Sequence, residues 1–375
     1  MKISLVMIVK NEERSLEHCL REAALLVDEI IIADTGSTDG TRAIAEKMGA
    51  RVYDYGWTDD FSDARNFALD QSTGEWNLIM DADEYLRPCS RKTLEQAIAK
   101  NVCRFGNRWM GAIVRYDVYQ DGTETSMSIT SLPRLLPSGV RYTGIIHEQP
   151  DTELPCYRIP LEADHDGYLR ENKGERNLPY LKEAVKRCPE DAYFKFQLAA
   201  TLRNLKRYQE SLCWFRAFYS GLPGYENEER GSQRTEGLYV TEGKLLYLYT
   251  LLDVGSTPCL EEAGAVIDRE EPVLGNRADF CFVCGLFYMK LVLSDVGRYV
   301  HLLPEIENSY LKCLAIGEQP GQEGAIGAGS YKAAYNLGLW YEVSGQKEKA
   351  GLYYKKAAAW GYGPAAHQLK KLSSE

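Results

Sequence analysis

The residues Asp81-Ala82-Asp83-Glu84 follow directly on the apolar run Trp76-Asn77-Leu78-Ile79-Met80. Two carboxylates one residue apart at the end of a strand make a cradle for a hard divalent cation, and Mg2+ in particular is usually shared between one or two carboxylates and a substrate phosphate. The chemistry to expect is the holding of a metal and a diphosphate. Asp-x-Asp alone is a weak signal, because the same residues cap turns and helices. Its position gives it weight.

Residues 3–9 form a continuous apolar run of strand length, followed by the polar Lys10-Asn11-Glu12-Glu13 and a helical stretch to about residue 27. A second strand over 29–33 ends in Asp34-Thr35-Gly36-Ser37-Thr38-Asp39-Gly40-Thr41. A helix over 41–48, a strand over 51–55, a helix over 61–71 and the strand that ends at Asp81 complete the series. Alternation of non-alternating apolar strands with helices predicts a parallel sheet covered on both faces. Ligands of such sheets bind beyond the carboxyl ends of the strands. The clusters at 10–13, 34–41 and 81–84 all fall there and are expected to converge on one crevice. Each taken singly could be a turn, a helix cap or a set of first-turn acids favoured by the helix dipole.

The segments Ser4-Leu5-Val6-Met7-Ile8-Val9-Lys10-Asn11-Glu12-Glu13, Asp34-Thr35-Gly36-Ser37-Thr38-Asp39-Gly40-Thr41, Ala64-Arg65-Asn66 and Asp81-Ala82-Asp83, in this order, resemble the family 2 glycosyltransferases of GT-A fold. The resemblance runs through about residue 170. It implies a nucleotide-sugar donor, such as a UDP-sugar, a divalent cation (Mg2+ or Mn2+) and inversion at the anomeric carbon. Carried over residue by residue, it implies that Asp34 contacts the nucleoside, Arg65 lies near the diphosphate, Asp83 reaches the metal and Asp81 supports the nucleotide side. Val9, Asn11, Glu12 and Ala82 complete the implied donor-binding set. The chemistry agrees: negative charge builds on the departing nucleoside diphosphate, and a cation and a planar guanidinium aimed at those oxygens stabilise the transition state. Read from its surroundings alone, Arg65 is equally an exposed helix arginine paired with Asp63 or Asp59.

Two of the five histidines stand where the second half of such a domain returns to the crevice: His147 in Tyr142-Thr143-Gly144-Ile145-Ile146-His147-Glu148, and His165 in Asp164-His165-Asp166-Gly167-Tyr168. The resemblance implies that a late histidine completes the metal shell, for which neutral imidazole is a competent ligand. The chain departs from related sequences in placing Asp166 where an aromatic residue is frequent. Inverting transfer needs a general base for the acceptor's proton. Glu148 is the first candidate and Asp166 the second, while Glu148 could instead hold Arg141 or Arg134 in a structural pair.

Beyond about residue 177 the strand signals stop, and apolar and aromatic residues recur at helical spacing through Leu181, Phe194, Leu198, Leu202, Leu212, Phe215 and Phe218. Pro189 and Pro223 are 34 residues apart, the tetratricopeptide period, with Ser211-x-x-x-Phe215 between them. Asn336-Leu337-Gly338-Leu339-Trp340-Tyr341, Ala350-x-x-x-Tyr354 and Pro364 fit the pattern again. The expected architecture is an α/β GT-A domain over 1–175 followed by an all-α tetratricopeptide-like domain over 176–375. Arrays of this kind bind extended peptides or a second subunit, so a peptide or protein acceptor and a homodimer through the helices are expected. The aromatic residues Tyr247, Tyr249, Phe280 and Phe287 read as core, and the glycine-rich stretch 317–329 reads as an exposed connector.

With 375 residues, 45% hydrophobic and 26% charged, the composition is that of a soluble globular protein long enough for two cores. A formal net charge of −10 argues against nucleic-acid binding. No run reaches membrane-spanning length, and Met1 to Val9 does not read as a signal peptide, so a cytoplasmic location is expected. Ten cysteines are then expected to be reduced, with Cys281 and Cys284 packing as small hydrophobes, not as a zinc site.

A family 2 domain ahead of tetratricopeptide-like helices resembles the bacterial enzymes that glycosylate a side chain of ribosomally made peptides, cysteine S-glycosyltransferases among them. It also resembles enzymes that extend cell-surface glycans or lipopolysaccharide. A phosphatase with an aspartate nucleophile at Asp81 would leave the segment 34–41 without a role, and a non-catalytic adaptor would have no need of intact Asp34, Arg65, Asp81 and Asp83.

Overall fold

The computed structural model describes residues 1–121, 124–166, 173–222, 236–319 and 322–374. Gly167, Tyr168, Pro223 and Pro320, which the sequence patterns use, lie outside the described residues. The chain divides into two compact units, one of Met1–Thr201 with Gly221–Val240 and one of Leu202–Ser220 with Thr241–Glu375.

The first unit begins β1 (Ile3–Val9), α1 (Leu16–Ala23), β2 (Glu29–Asp34), α2 (Thr41–Lys47), β3 (Arg51–Asp54), α3 (Phe61–Asp70) and β4 (Trp76–Ile79). β1 is buried along almost its whole length because it lies between β2 and β4, parallel to both. Leu5 and Met7 face a core with Leu16, Leu20, Trp76, Leu78 and Trp109, while Val6 faces another with Ile31, Ala33, Ala68 and Ile79. A strand buried on both faces has to be apolar at every position, which is why its pattern does not alternate. The rings of Trp76 and Trp109 lie 4.8 Å apart. The pairs Val9↔Asp34, Asp34↔Asp54 and Val6↔Ile79 bring the carboxyl ends of all four strands to one edge.

The chain continues β5 (Glu84–Leu86), α4 (Arg91–Phe105), β6 (Met110–Asp121), β7 (Glu124–Pro137), β8 (Tyr142–Thr143), β9 (Gln149–Pro150) and β10 (Cys156–His165). The main sheet has the order β3-β2-β1-β4-β7-β6-β10-β5. It is parallel through β4, as the helix-strand alternation predicts, and mixed beyond: β7 runs antiparallel to β4, β6 antiparallel to β7, and β5 antiparallel to β10. The change of direction follows from connection length, since β6 and β7 are joined by a hairpin and only antiparallel strands can be joined so tightly. α1 stops at Ala23, short of the expected end near 27, in a turn over 24–26.

α5 (Lys173–Arg187) lies in the first compact unit, as does most of α6 (Ala192–Asn204). The remaining helices are α7 (Tyr208–Ser220), α8 (Glu236–Val254), α9 (Thr257–Leu274), α10 (Ala278–Ser294), α11 (Val296–Tyr299), α12 (Leu303–Ile316), α13 (Tyr331–Val343), α14 (Lys347–Ala359) and α15 (Gly363–Ser374). Within the second unit, facing helices approach where a glycine meets an aromatic ring. A Cβ on Gly338 of α13 would lie 2.6 Å from the Tyr354 ring of α14, and one on Gly285 of α10 would lie 2.7 Å from the Tyr310 ring of α12. The motif residues Ser211, Phe215, Leu337, Ala350 and Tyr354 are all buried. Cys281 and Cys284 are buried too, the Cys281 thiol donating to Gly275 O. The connector between α12 and α13 is less exposed than its composition suggests. Glu318 Oε1 accepts from Gly327 N, Gly329 N and Ser330 Oγ and draws the loop in, so that residues 327–330 are buried.

Candidate functional site

The two loops that leave β1 and β2 are laced together. The carbonyl of Val9 accepts from both Thr35 N and Thr35 Oγ1. Asn11 adopts a left-handed conformation (φ 57), from which its Oδ1 accepts Thr38 N at 2.8 Å while its own N–H reaches Ser37 Oγ at 2.9 Å. Asparagine is among the few residues that tolerate this backbone region. Glu12 N donates to Thr41 Oγ1, and its carboxylate accepts from Ser15 Oγ. The buried Asp34 accepts from Gly36 N and Ser37 N through Oδ1. The segment 34–41 is thus a turn held by its own aspartate at the sheet edge where a ligand of this fold class binds.

Around the Asp81-Ala82-Asp83-Glu84 segment, charges form one chain of contacts. Arg65, on the buried face of α3 and only 3% exposed, donates from Nε to Glu148 Oε1 (2.7 Å) and from Nη2 to Asp81 Oδ1 (2.9 Å). Arg134, from β7, donates from Nη2 to Asp81 Oδ2 (2.6 Å) and to Glu84 Oε1. Arg115, from β6, meets Glu84 at 3.1 Å and Asp117 at 2.8 Å. Asp117 lies 2.7 Å from His165 Nδ1, and His165 Nε2 lies 3.6 Å from Asp83 Oδ2. β-pairing dictates the last links, because Asp117 and Glu84 both stand opposite His165 across β10. Asp81, Asp83, Glu84, Asp117 and Glu148 outnumber Arg65, Arg115 and Arg134 by two charges.

Burial opposes ionisation of Asp81, but Arg134 and Arg65 outweigh it and hold its carboxyl well below the usual range. Burial likewise works against Asp117, which His165 and Arg115 keep low. For His165, burial alone would lower the pKa, and the hydrogen bonds to Asp117 and Asp83 raise it. His147 behaves in the opposite way. Burial, with Arg115 adding to it, brings it down to about 4, so its ring is neutral, and among the described residues its buried Nε2 has no hydrogen-bond partner.

The structure thus brings Arg65, Asp81, Asp83, Glu148 and His165 into one connected group and sets Val9 and Asp34 at the ends of β1 and β2, with Asn11 and Glu12 in the loop that follows β1, at the same sheet edge. Ala82 is buried between Asp81 and Asp83. The Asp166 carboxylate lies 3.4 Å from Tyr85 Oη. The alternative of an exposed Arg65 paired with Asp63 or Asp59 does not hold, and Glu148 pairs with Arg65, not with Arg141 or Arg134. Sequence reasoning missed Arg115 and Asp117. The available signal was their spacing of two in a strand, which puts both on one face.

Residues 4–126 match the family model described as Glycosyl transferase family 2. Among curated proteins, a TPR repeat-containing protein of Synechococcus elongatus is 49% identical over 223 residues, 54% of this chain and 52% of that protein. The SPbeta prophage-derived glycosyltransferase SunS of Bacillus subtilis is 27% identical over 220 residues, 56% of this chain and 51% of that protein. The chain spans about half the length of these curated relatives. A solved glucosyl-3-phosphoglycerate synthase from Mycobacterium tuberculosis, in complex with Mg2+ and uridine-diphosphate, is 24% identical and superposes over 31% of this chain and 43% of that one with a TM-score of 0.25, too loosely to bear on donor or metal. The residues that match the family model hold the sequence motifs gathered at one sheet edge, and there the chain is similar to family 2 glycosyltransferases.

Proposed function

We propose that the protein transfers a sugar, with inversion, from a nucleotide-sugar donor such as a UDP-sugar to a side chain of a peptide or protein, with Mg2+ or Mn2+ bound at Asp83 and His165. The observation that carries this reading is the contact chain from Glu148 through Arg65 and Asp81 to His165 and Asp83. Asp83 offers oxygen and His165 offers Nε2, while Asp117 on Nδ1 fixes the ring, as partners of metal-bound histidines commonly do. Two protein ligands suit a cation that completes its shell with phosphate and water, and the excess of two carboxylates around it suits its charge. The bound cation would stabilise negative charge on the departing diphosphate.

The chain's own residues do the rest. Asp34 and the loop of Asn11 and Glu12 receive the nucleoside. Among the described residues Arg65 Nη1 is buried without a partner, and it is the donor left for a phosphate oxygen once Nε and Nη2 are engaged. Asp81 supports the arginine from the nucleotide side. Glu148, steadied through Oε1 by Arg65, takes the acceptor's proton through Oε2, with Asp166 the second candidate.

The helical unit supports a peptide acceptor, with a cysteine as the favoured side chain, and self-association through the same helices. A cytoplasmic location belongs to this reading. Among the described residues no helix is long and apolar enough to cross a membrane. The test is incubation of the purified protein with a panel of nucleotide sugars and Mg2+ or Mn2+, then with a cysteine-bearing peptide. One donor is expected to be hydrolysed slowly without acceptor and to add a hexose mass to the peptide. Failure of every donor to bind or turn over with either cation would overturn the reading, and transfer to a lipid-linked glycan alone would overturn the peptide acceptor.

A further inference from the structure

The segment from Tyr142 to Gln149 carries Glu148 and has little structure of its own. Among the described residues its only regular pairing is the short β8–β9 bridge, Tyr142 with Pro150 and Thr143 with Gln149. Gly144 (φ 102) and His147 (φ 49) are both left-handed, and histidine, unlike glycine, is strained there. A loop with these features keeps its shape only when neighbours hold it.

Side chains of α3 and α6 supply that hold. Asn66 of α3 grips Tyr142 twice, its Oδ1 accepting Tyr142 N at 2.8 Å and its Nδ2 donating to Tyr142 O at 2.9 Å. The side-chain amide pairs with that residue as an adjoining strand would. Phe61 N, at the start of the same helix, donates to Ile145 O. At the far end Gln149 Nε2 donates to His147 O (3.2 Å) and to Tyr193 Oη (2.7 Å) of α6. Asn66 directly follows Arg65, whose Nε holds Glu148. One turn of α3 therefore holds both the entry of the loop and the carboxylate near its end.

We propose that Asn66 is a positioning residue, setting the 142–149 loop so that Glu148 meets Arg65, with Tyr193 steadying the loop's far end through Gln149. The inference rests on the reading of Glu148 as general base. Both act through Glu148 in this inference, not on substrate.

Asn66→Asp keeps the acceptor for Tyr142 N and replaces the donor with a carboxylate oxygen that faces a carbonyl. It is expected to lower kcat for donor hydrolysis by roughly 10- to 100-fold, the scale of an ångström's misplacement of a reacting group. The donor KM and the nucleoside diphosphate Kd are expected to stay within about threefold, because the loops of Asn11 and Asp34 are untouched. Tyr193→Phe is the gentler variant, removing one hydroxyl. It is expected to lower kcat by roughly 3- to 10-fold at unchanged KM. In both full-length variants the backbone amides of 142–149 should exchange with solvent faster than in the wild type, whether or not a donor is turned over. An unchanged kcat in folded variants, or a raised KM with kcat kept, would overturn the positioning role. Unaltered amide exchange would overturn the clamp itself, even if the wild type proves inactive and the proposed function fails separately.

Discussion

Replacing Arg134 with methionine should reveal how far the charge network supports the first unit. The Arg134 side chain is 10% exposed and shared by Asp81 and the fully buried Glu84. Breaking a buried ion pair by removing one partner costs about 3–5 kcal/mol, because the other charge is left without compensation. Here each carboxylate keeps a second arginine, Asp81 keeping Arg65 at 2.9 Å and Glu84 keeping Arg115 at 3.1 Å. The low end, about 3 kcal/mol, is therefore expected. In a domain of this size that lowers Tm by roughly 6–12 °C. Near-ultraviolet circular dichroism is a suitable monitor, since the buried Trp76–Trp109 pair belongs to the same unit. Adding Glu84→Gln removes a carboxylate that has lost one of its two arginines and should recover on the order of 1–2 kcal/mol relative to the sum of the single changes. A Tm within about 2 °C of wild type, or strict additivity of the pair, would refute the view that these charges act as one network.

Asp83→Asn should cut metal-stimulated donor hydrolysis by roughly 100-fold or more and weaken Mn2+ binding, with circular dichroism unchanged; full turnover with Mn2+ would remove Asp83 from the metal site. Burial opposes ionisation of Glu29, but hydrogen bonds from Ser4 and Thr73 bring its pKa from 4.5 down to about 2. Its folded pKa lies below its unfolded one, so the stabilisation is present above pH 4.5 and lost as pH falls toward 2. This contribution is on the order of 3 kcal/mol, and Glu29→Gln should flatten the acid limb of a stability-against-pH curve in that window. Gly338→Val would drive a side chain into the Tyr354 ring. It should destabilise the α13–α14 pair by about 1–3 kcal/mol in urea titrations, and Tyr354→Leu should restore part of the loss.

The first four strands and their helices could be read from the sequence because each strand is a short apolar run that ends at a polar cluster, and both signals are local. The reversal of direction beyond β4 could not. It depends on Leu78 pairing with Leu135, a contact between residues far apart in the chain, which sets the β6–β7 hairpin against β4. The site divides in the same way. Asp34, Asp81, Asp83 and Arg65 sit in compact motifs, whereas Arg115 and Asp117 carry no motif and join the site only because β6 lies beside β10. Arg65 also shows where local reading fails, since acids at 59, 60 and 63 suggest a surface helix and the guanidinium points inward to carboxylates from distant segments. In the helical half, the glycines at 285 and 338 mark helix contacts that a hydrophobic pattern alone does not reveal.

The double grip of Asn66 on Tyr142 bears on how such enzymes can diversify. Residues 61–70 and 141–149 are far apart in the gene yet touch through side-chain amide, guanidinium and backbone contacts. Swapping either segment alone between homologues would leave mismatched halves. Grafts that carry both together should survive.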